Sequence, residues 1–92
     1  MNDHEQAARG DEAKRLLENP ILVEVIANLD ATYVLAWRRA MTVEAREDAH
    51  RYMQLCKQFE SDLKSLVKGG QMAAHRIKEL EGQKSGLKKI WG

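Results

Sequence analysis

Apolar residues recur at alternating steps of four and three over residues 43–68, which keeps one stripe on one face of an α-helix. The stripe consists of Ala45, Ala49, Tyr52, Cys56, Phe59, Leu63 and Leu66. A helix of this length spans roughly 39 Å at 1.5 Å per residue and is not stable alone in water. We therefore expect a long central helix whose stripe packs on the rest of the chain, with Phe59 and Leu63 in the core.

Two capping signals bound the preceding helices. Asn19 is a favoured N-cap, and Pro20 fits the first position of a helix, so one helix should end at about Glu18 and the next begin at Pro20. That second helix carries a broad apolar stripe, wide enough to face two neighbours. Thr42 can cap the central helix. No glycine or proline enforces a break there, so a continuous helix over residues 20–68 remains an alternative.

A second set of signals concerns the end of the central helix. Lys68 followed by Gly69 and Gly70 is typical of a helix terminus and predicts that the chain reverses direction. Beyond it, a helical stripe restarts, formed by Met72, Ala73, Ile77 and Leu80. A short connection between two apolar helices favours an antiparallel hairpin.

These patterns predict an all-α fold. It comprises a short N-terminal helix and a three-helix antiparallel bundle or helical hairpin with a long central helix and a basic-aromatic C-terminal tail. The predicted organisation is a mobile arm over residues 1–10 that is broken at Gly10, a helical domain over residues 11–81, and the tail over residues 82–92. Within the domain we expect helices at about 11–18, 20–41, 43–68 and 71–81.

Composition narrows the class of protein. Ninety-two residues allow one domain at most, and a formal charge of +1 excludes a chain that seeks polyanions with its whole surface. The longest apolar stretch, residues 21–36, is interrupted by Glu24, Asn28 and Asp30, which does not suit a membrane span, and the N-terminus lacks the pattern of a secretory signal. We expect a soluble protein with no membrane partner.

The residues that usually carry chemistry are scattered. No nucleophile, base and orienting group converge, no metal-ligand spacing is present, and no phosphate loop is found. The single cysteine, Cys56, lies on the apolar stripe and reads as a small buried apolar residue, and His50 has no second ligand at helical spacing. We predict no enzyme, no cofactor and no metal site.

The tail offers the strongest candidate for binding a partner. Residues 82–92 contain three lysines and no acid, and the large apolar groups there have no evident place in a small core. The predicted partner-binding residues are Lys84, Leu87, Lys88, Lys89, Ile90 and Trp91. The apolar spacing also continues through them, so a longer helix that packs on its own bundle is an equal alternative. Candidate phosphate contacts are Arg38, Arg39, Arg76 and Lys78.

Several segments resemble a family of small helical proteins encoded in the structural gene modules of tailed bacteriophages. The resemblance rests on residues 10–20 (GDEAKRLLENP), the Ala36-Trp37 pair, residues 67–73 (VKGGQMA) and the tail ending KKIWG. The chain departs from the pattern at residues 41–43, Met-Thr-Val, where a proline-containing break is expected. The resemblance implies a role in building or joining phage particles and carries over no catalytic residues.

Three functions follow as hypotheses. The first is a non-enzymatic assembly protein of a phage particle, either a minor capsid, a scaffold-like or a connector-associated component. Its expected partners are copies of itself and a larger coat or connector protein. Its expected location is the host cytoplasm during assembly and then the virion. The second is a nucleic-acid-binding packaging or regulatory factor of terminase small-subunit type. The third is a small helical inhibitor of a host enzyme.

We predict that replacing Cys56 by alanine or valine leaves function intact, because no activating group lies at helical spacing from its thiol. Partner binding by purified Cys56→Ala protein, with helicity followed by circular dichroism, checks this. Chelators should likewise have no effect. Loss of binding in a folded Cys56→Ala protein would contradict the prediction.

Overall fold

A computed structural model describes the backbone of residues 1–91 and the side chains of residues 1–84. It contains three helices, α1 (Asp3–Glu18), α2 (Pro20–Arg39) and α3 (Val43–Trp91), and no strand lies within the described backbone. The all-α prediction is confirmed.

The first two helices begin at asparagine caps. The Asn2 side-chain oxygen accepts a hydrogen bond from the backbone N–H of Glu5 at 2.8 Å. At the second cap, Asn19 Oδ1 accepts from the N–H groups of Ile21 and Leu22 at 2.9 and 3.3 Å. The boundary predicted between Glu18 and Pro20 is confirmed. The predicted break of the N-terminal arm is wrong, because α1 begins at Asp3 and continues unbroken through Gly10.

A short turn at residues 40–42 separates α2 from α3, as predicted. Thr42 Oγ1 accepts a hydrogen bond from the backbone N–H of Ala45 at 3.0 Å, which satisfies one of the free amides at the start of α3. The alternative of one continuous helix over residues 20–68 is therefore excluded. The second helix ends at Arg39, two residues before the predicted end.

The predicted reversal at Gly69 and Gly70 is wrong. Residues 43–91 form one helix of 49 residues, about 74 Å long at 1.5 Å per residue. The separate helix over residues 71–81 is wrong for the same reason. The backbone of residues 82–91 continues α3, as in the alternative of a longer helix. A helix that ends in glycine usually places it in the left-handed conformation, and no glycine in the described backbone has a positive φ.

Gly70 instead serves the contact between α1 and α3. A Cβ added to Gly70 would lie 2.7 Å from the Cα of Gly10 and 3.1 Å from the carbonyl oxygen of Gln6. A Cβ added to Gly10 would likewise meet the Gly70 Cα at 2.7 Å. The neighbouring contact residues are small as well, since Ala13 and Ala73 are buried. Glycine is required here because the two helix backbones touch.

Both shorter helices run antiparallel to α3, one after the other. Arg76 donates to Asp3 at the start of α1, Gly70 meets Gly10 farther along, and Tyr33 of α2 stacks on Tyr52 near the start of α3. The result is a rod of 75 × 25 × 16 Å. Its radius of gyration is 20.8 Å, against about 12 Å for a compact domain of this length. The chain is thus extended and two helices thick, and the predicted three-helix antiparallel bundle or helical hairpin is not confirmed.

The stripe of α3 that faces α1 and α2 differs from the predicted one. Of the predicted stripe, Leu63 is buried as expected, but Phe59 is 49% exposed, and Tyr52 and Leu66 are exposed too. Phe59 is therefore not a core residue. A series of low-exposure positions again follows steps of four and three, with Gly69 and Ala73 beside it, at Ala49, Met53, Cys56, Glu60, Leu63, Val67, Gly70, Ala74 and Ile77. The helix carries two overlapping apolar stripes, and α1 and α2 cover only one.

Adjacent glycines give a matched test of the α1–α3 contact. Gly70→Ala should lower the free energy of unfolding by about 1–3 kcal/mol, because the added methyl group forces two backbones apart. Gly69→Ala should raise it by about 0.5–1 kcal/mol, since a Cβ there meets nothing within 4 Å and alanine favours the helix. Thermal or urea unfolding measures both. Equal effects of the two substitutions would contradict the contact.

A second prediction concerns the ion pair at the far end of the same contact. Arg76 donates through Nε and Nη2 to Asp3 Oδ1 at 3.1 and 2.9 Å, and through Nη2 to Gln6 Oε1 at 3.3 Å. Arg76→Met keeps the aliphatic stem and should cost about 0.5–1 kcal/mol. Hydrogen exchange of the α1 amides should accelerate. Glu79→Gln, which removes the exposed pair with His75, is the control and should leave α1 unchanged.

Candidate interaction surface

An apolar groove runs between α2 and the first half of α3. Its volume is about 360 Å³. Half-buried side chains form its floor, and more exposed apolar side chains form its two edges. We call it the α2–α3 groove; its floor consists of Leu22, Ile26, Tyr33 and Cys56, and its edges of Val25, Leu29, Tyr52, Leu55 and Phe59.

The edges of the groove leave a large apolar area in water. The five edge residues are between 41% and 59% exposed. None of the nine lining residues is an acid, a lysine, an arginine or a histidine. Contiguous apolar surface of this kind is typical of a site that binds another macromolecule.

The geometry of the groove follows from the sequences of its two helices. The α2 stripe is broader than the strip that α3 covers, so Val25 and Leu29 remain beside the contact. The rings of Tyr33 and Tyr52 stack across the two helices with centroids 4.9 Å apart and an interplanar angle of 21°. This aromatic pair aligns the second half of α2 with the first half of α3, at the end of the groove nearer the turn.

The opposite side of the same helix pair is mixed in character. The depression there is lined by Asp30, Lys57 and Glu60 as well as by apolar residues of α1 and α2. The two sides of the rod therefore differ in chemistry. Only the side with the α2–α3 groove offers a lining free of charged groups.

The structure does not bring the four candidate phosphate contacts together. Arg38 and Arg39 end α2 beside the turn, whereas Arg76 lies 33 residues into α3, about 50 Å away along the helix axis. The Arg76 guanidinium is also engaged with Asp3. The only candidate near Arg76 is Lys78, so no continuous basic track forms from these residues.

The predicted tail site falls mostly outside the described side chains. Lys84 is exposed on α3. The side chains of Leu87, Lys88, Lys89, Ile90 and Trp91 lie beyond those that the structure describes. The tail site therefore stays a prediction.

Over the described side chains, no group of three or more histidine, cysteine, aspartate or glutamate residues could hold a metal ion. Cys56 lies half-buried in the floor of the groove. His50 lies 3.3 Å from the Gln54 side chain, at the Nε2 atoms.

Within the described part of the chain, α2 is the one helix with the length and composition to cross a membrane. Its mean hydropathy is 1.3, and none of the window is buried inside the protein. Two acids, Glu24 and Asp30, lie on this helix. An exposed apolar helix face that binds another protein has the same length and composition.

The groove was only partly predictable. The four-three spacing predicts Tyr52 and Phe59 as apolar stripe residues of α3, with Phe59 in the core and not at a surface. Leu55 was missed because it falls outside the four-three spacing of that stripe. Leu55 could have been found from a second apolar series on α3. Tyr52, Leu55 and Phe59 follow one another at steps of three and four residues, which places them on one face of the helix.

Comparisons of this chain with protein-family models, with curated proteins and with solved structures found no match.

Proposed function

We propose that this chain is a non-enzymatic helical assembly protein of a phage particle, a minor capsid, scaffold-like or connector-associated component. It acts through protein–protein contacts with a larger coat or connector protein and with copies of itself. The observation that supports this function is the α2–α3 groove, an exposed apolar surface without charged lining residues.

The small interior of the rod adds support. The buried apolar residues among the described side chains are three alanines and Leu63. Burial of large side chains contributes most of the stabilisation in a helical protein, and few are buried here. A rod with this interior gains stability from what it packs against, as a component of a larger assembly does.

The tail supplies a second proposed contact. Lys84, Leu87, Lys88, Lys89, Ile90 and Trp91 combine basic and large apolar groups, with Trp91 as the anchor and the lysines as a rim suited to an acidic surface. Two contact regions on one chain would let each copy join two neighbours in a shell or connector. We place this activity in the host cytoplasm during assembly and afterwards in the virion.

Nucleic-acid binding of terminase small-subunit type has less support. A phosphate-binding surface needs several cations along one track, and the candidate cations lie in two groups about 50 Å apart along the rod. One of them, Arg76, is paired with Asp3 at 2.9 Å.

The test is quantitative mass spectrometry of purified particles assembled from the phage structural module in which we propose that this gene lies. We expect the chain at a fixed copy number per particle. Deleting residues 86–92 should abolish incorporation, because the proposed anchor is removed while the Gly10–Gly70 contact is kept. Leu55→Glu should reduce incorporation at least tenfold, because it places a charge in the α2–α3 groove.

Met72→Glu is the matched control, since Met72 and Leu55 are similarly exposed leucine-sized residues of α3 and Met72 does not line the groove. Circular dichroism of each purified variant must show unchanged helicity. Wild-type particles that lack the chain would refute the proposed function. So would a result in which the truncated variant and the Leu55→Glu variant are each incorporated at the wild-type copy number.

A further inference from the structure

We propose that the α2–α3 groove is closed by the same groove of a second copy of this chain, in a two-fold symmetric dimer. This inference rests on the proposed function only in taking the groove as a protein contact, and it names the partner. It is carried by the area of the exposed surface, by the charges around it and by the difference between the two sides of the rod.

The exposed area exceeds what a folded monomer of this size presents. The accessible surface of the chain is 7568 Å² at a mass of 10.5 kDa. A compact monomer of that mass exposes about 5,400 Å². The chain therefore leaves about 2,100 Å² more surface in water than compact monomers do. Closing the groove against another copy removes part of this surface without any change in the fold of either chain.

The groove is large enough for a weak, reversible dimer. Phe, Tyr and Trp side chains bury roughly 150–250 Å² each when they are fully covered, and valine and leucine side chains are smaller. The five edge residues are each between 41% and 59% exposed. Together they offer roughly 400 Å² per copy, or about 800 Å² for the pair. That total belongs to the low end of protein interfaces, below about 1,200 Å², where association is weak and concentration-dependent.

The charges around the groove favour a copy of the same chain. In a two-fold interface each patch meets itself, so any net charge on the patch would oppose the same charge on the partner. The lining of the groove carries no acid and no base. Charged neighbours on the outer side of α3 include both signs, with Arg51 3.6 Å from Asp48. Such a rim matches its own symmetry mate, whereas a strongly acidic or basic partner would gain nothing from it.

The opposite side of the rod does not meet these conditions. Asp30, Lys57 and Glu60 line its depression, and self-association there would desolvate all three. The second copy is therefore assigned to the side with the α2–α3 groove. Tyr52, Leu55 and Phe59 are the residues of α3 that it covers.

The experiment is sedimentation velocity and light scattering of the purified full-length chain between 1 and 100 µM, in about 0.15 M and 1 M salt. We expect a dimer at the upper concentrations, with no loss of association in 1 M salt, because an apolar interface is not screened by ions. Leu55→Glu and Val25→Glu, on the two edges of the groove, should each weaken dimerisation at least tenfold.

Met72→Glu and Leu35→Glu are the controls, since both residues are exposed apolar positions that do not line the groove. Both variants should remain dimeric. Circular dichroism at 1 µM confirms that each variant is folded, and two groove variants guard against the loss of one through misfolding.

A wild-type chain that is monomeric at 100 µM would overturn the dimer. A dimer that survives both groove substitutions would also overturn it, since another surface would then be responsible. Flotation of a monomeric wild-type chain with vesicles of phosphatidylcholine and phosphatidylglycerol would assign the groove to lipid instead. If the wild type is monomeric but Leu55→Glu is still lost from particles, the proposed function stands and the groove belongs to a different particle protein.

Discussion

Where α1 crosses α3, Gly10 and Gly70 let two helix backbones touch, and the position of every other contact along α1 follows from that crossing. Side chains larger than hydrogen at either position would meet backbone atoms within 3 Å. Because the helices are rigid, the crossing fixes where Asp3 meets Arg76. It also explains why the interior there consists of alanines, since no space remains between the helices for larger groups.

The boundaries of α1 and α2 were predictable because local chemistry determines them. The Asn19 and Thr42 side chains accept hydrogen bonds from amides two or three residues away. Pro20 disfavours helical geometry at Asn19, so the sequence alone specifies both boundaries. The Gly69-Gly70 pair was misread because glycine has two unrelated uses. It ends helices by adopting a positive φ, and it lets helices approach closely while it keeps a helical φ. Only the presence of Gly10 on a facing helix, 60 residues earlier, distinguishes them.

The interacting face of α3 was harder to predict for a similar reason. Steps of four and three identify a helix with an apolar face, but Ala49, Cys56 and Leu63 belong to two overlapping stripes that satisfy the rule equally well. The choice between them depends on the direction from which α1 and α2 approach, which is a tertiary property. Phe59 therefore lies beside the contact and becomes part of the candidate surface, although its spacing is that of a core residue.

A rod two helices thick cannot enclose its apolar residues, because each helix has a neighbour on one side only. In a compact bundle a third helix would cover the groove between the first two. Here the continuity of α3 through Gly70 prevents the chain from folding back to supply that helix. The glycine contact between α1 and α3 and the open groove beside α2 thus both follow from the continuity of α3. The helix layer that the chain lacks is the one that the proposed second copy would supply.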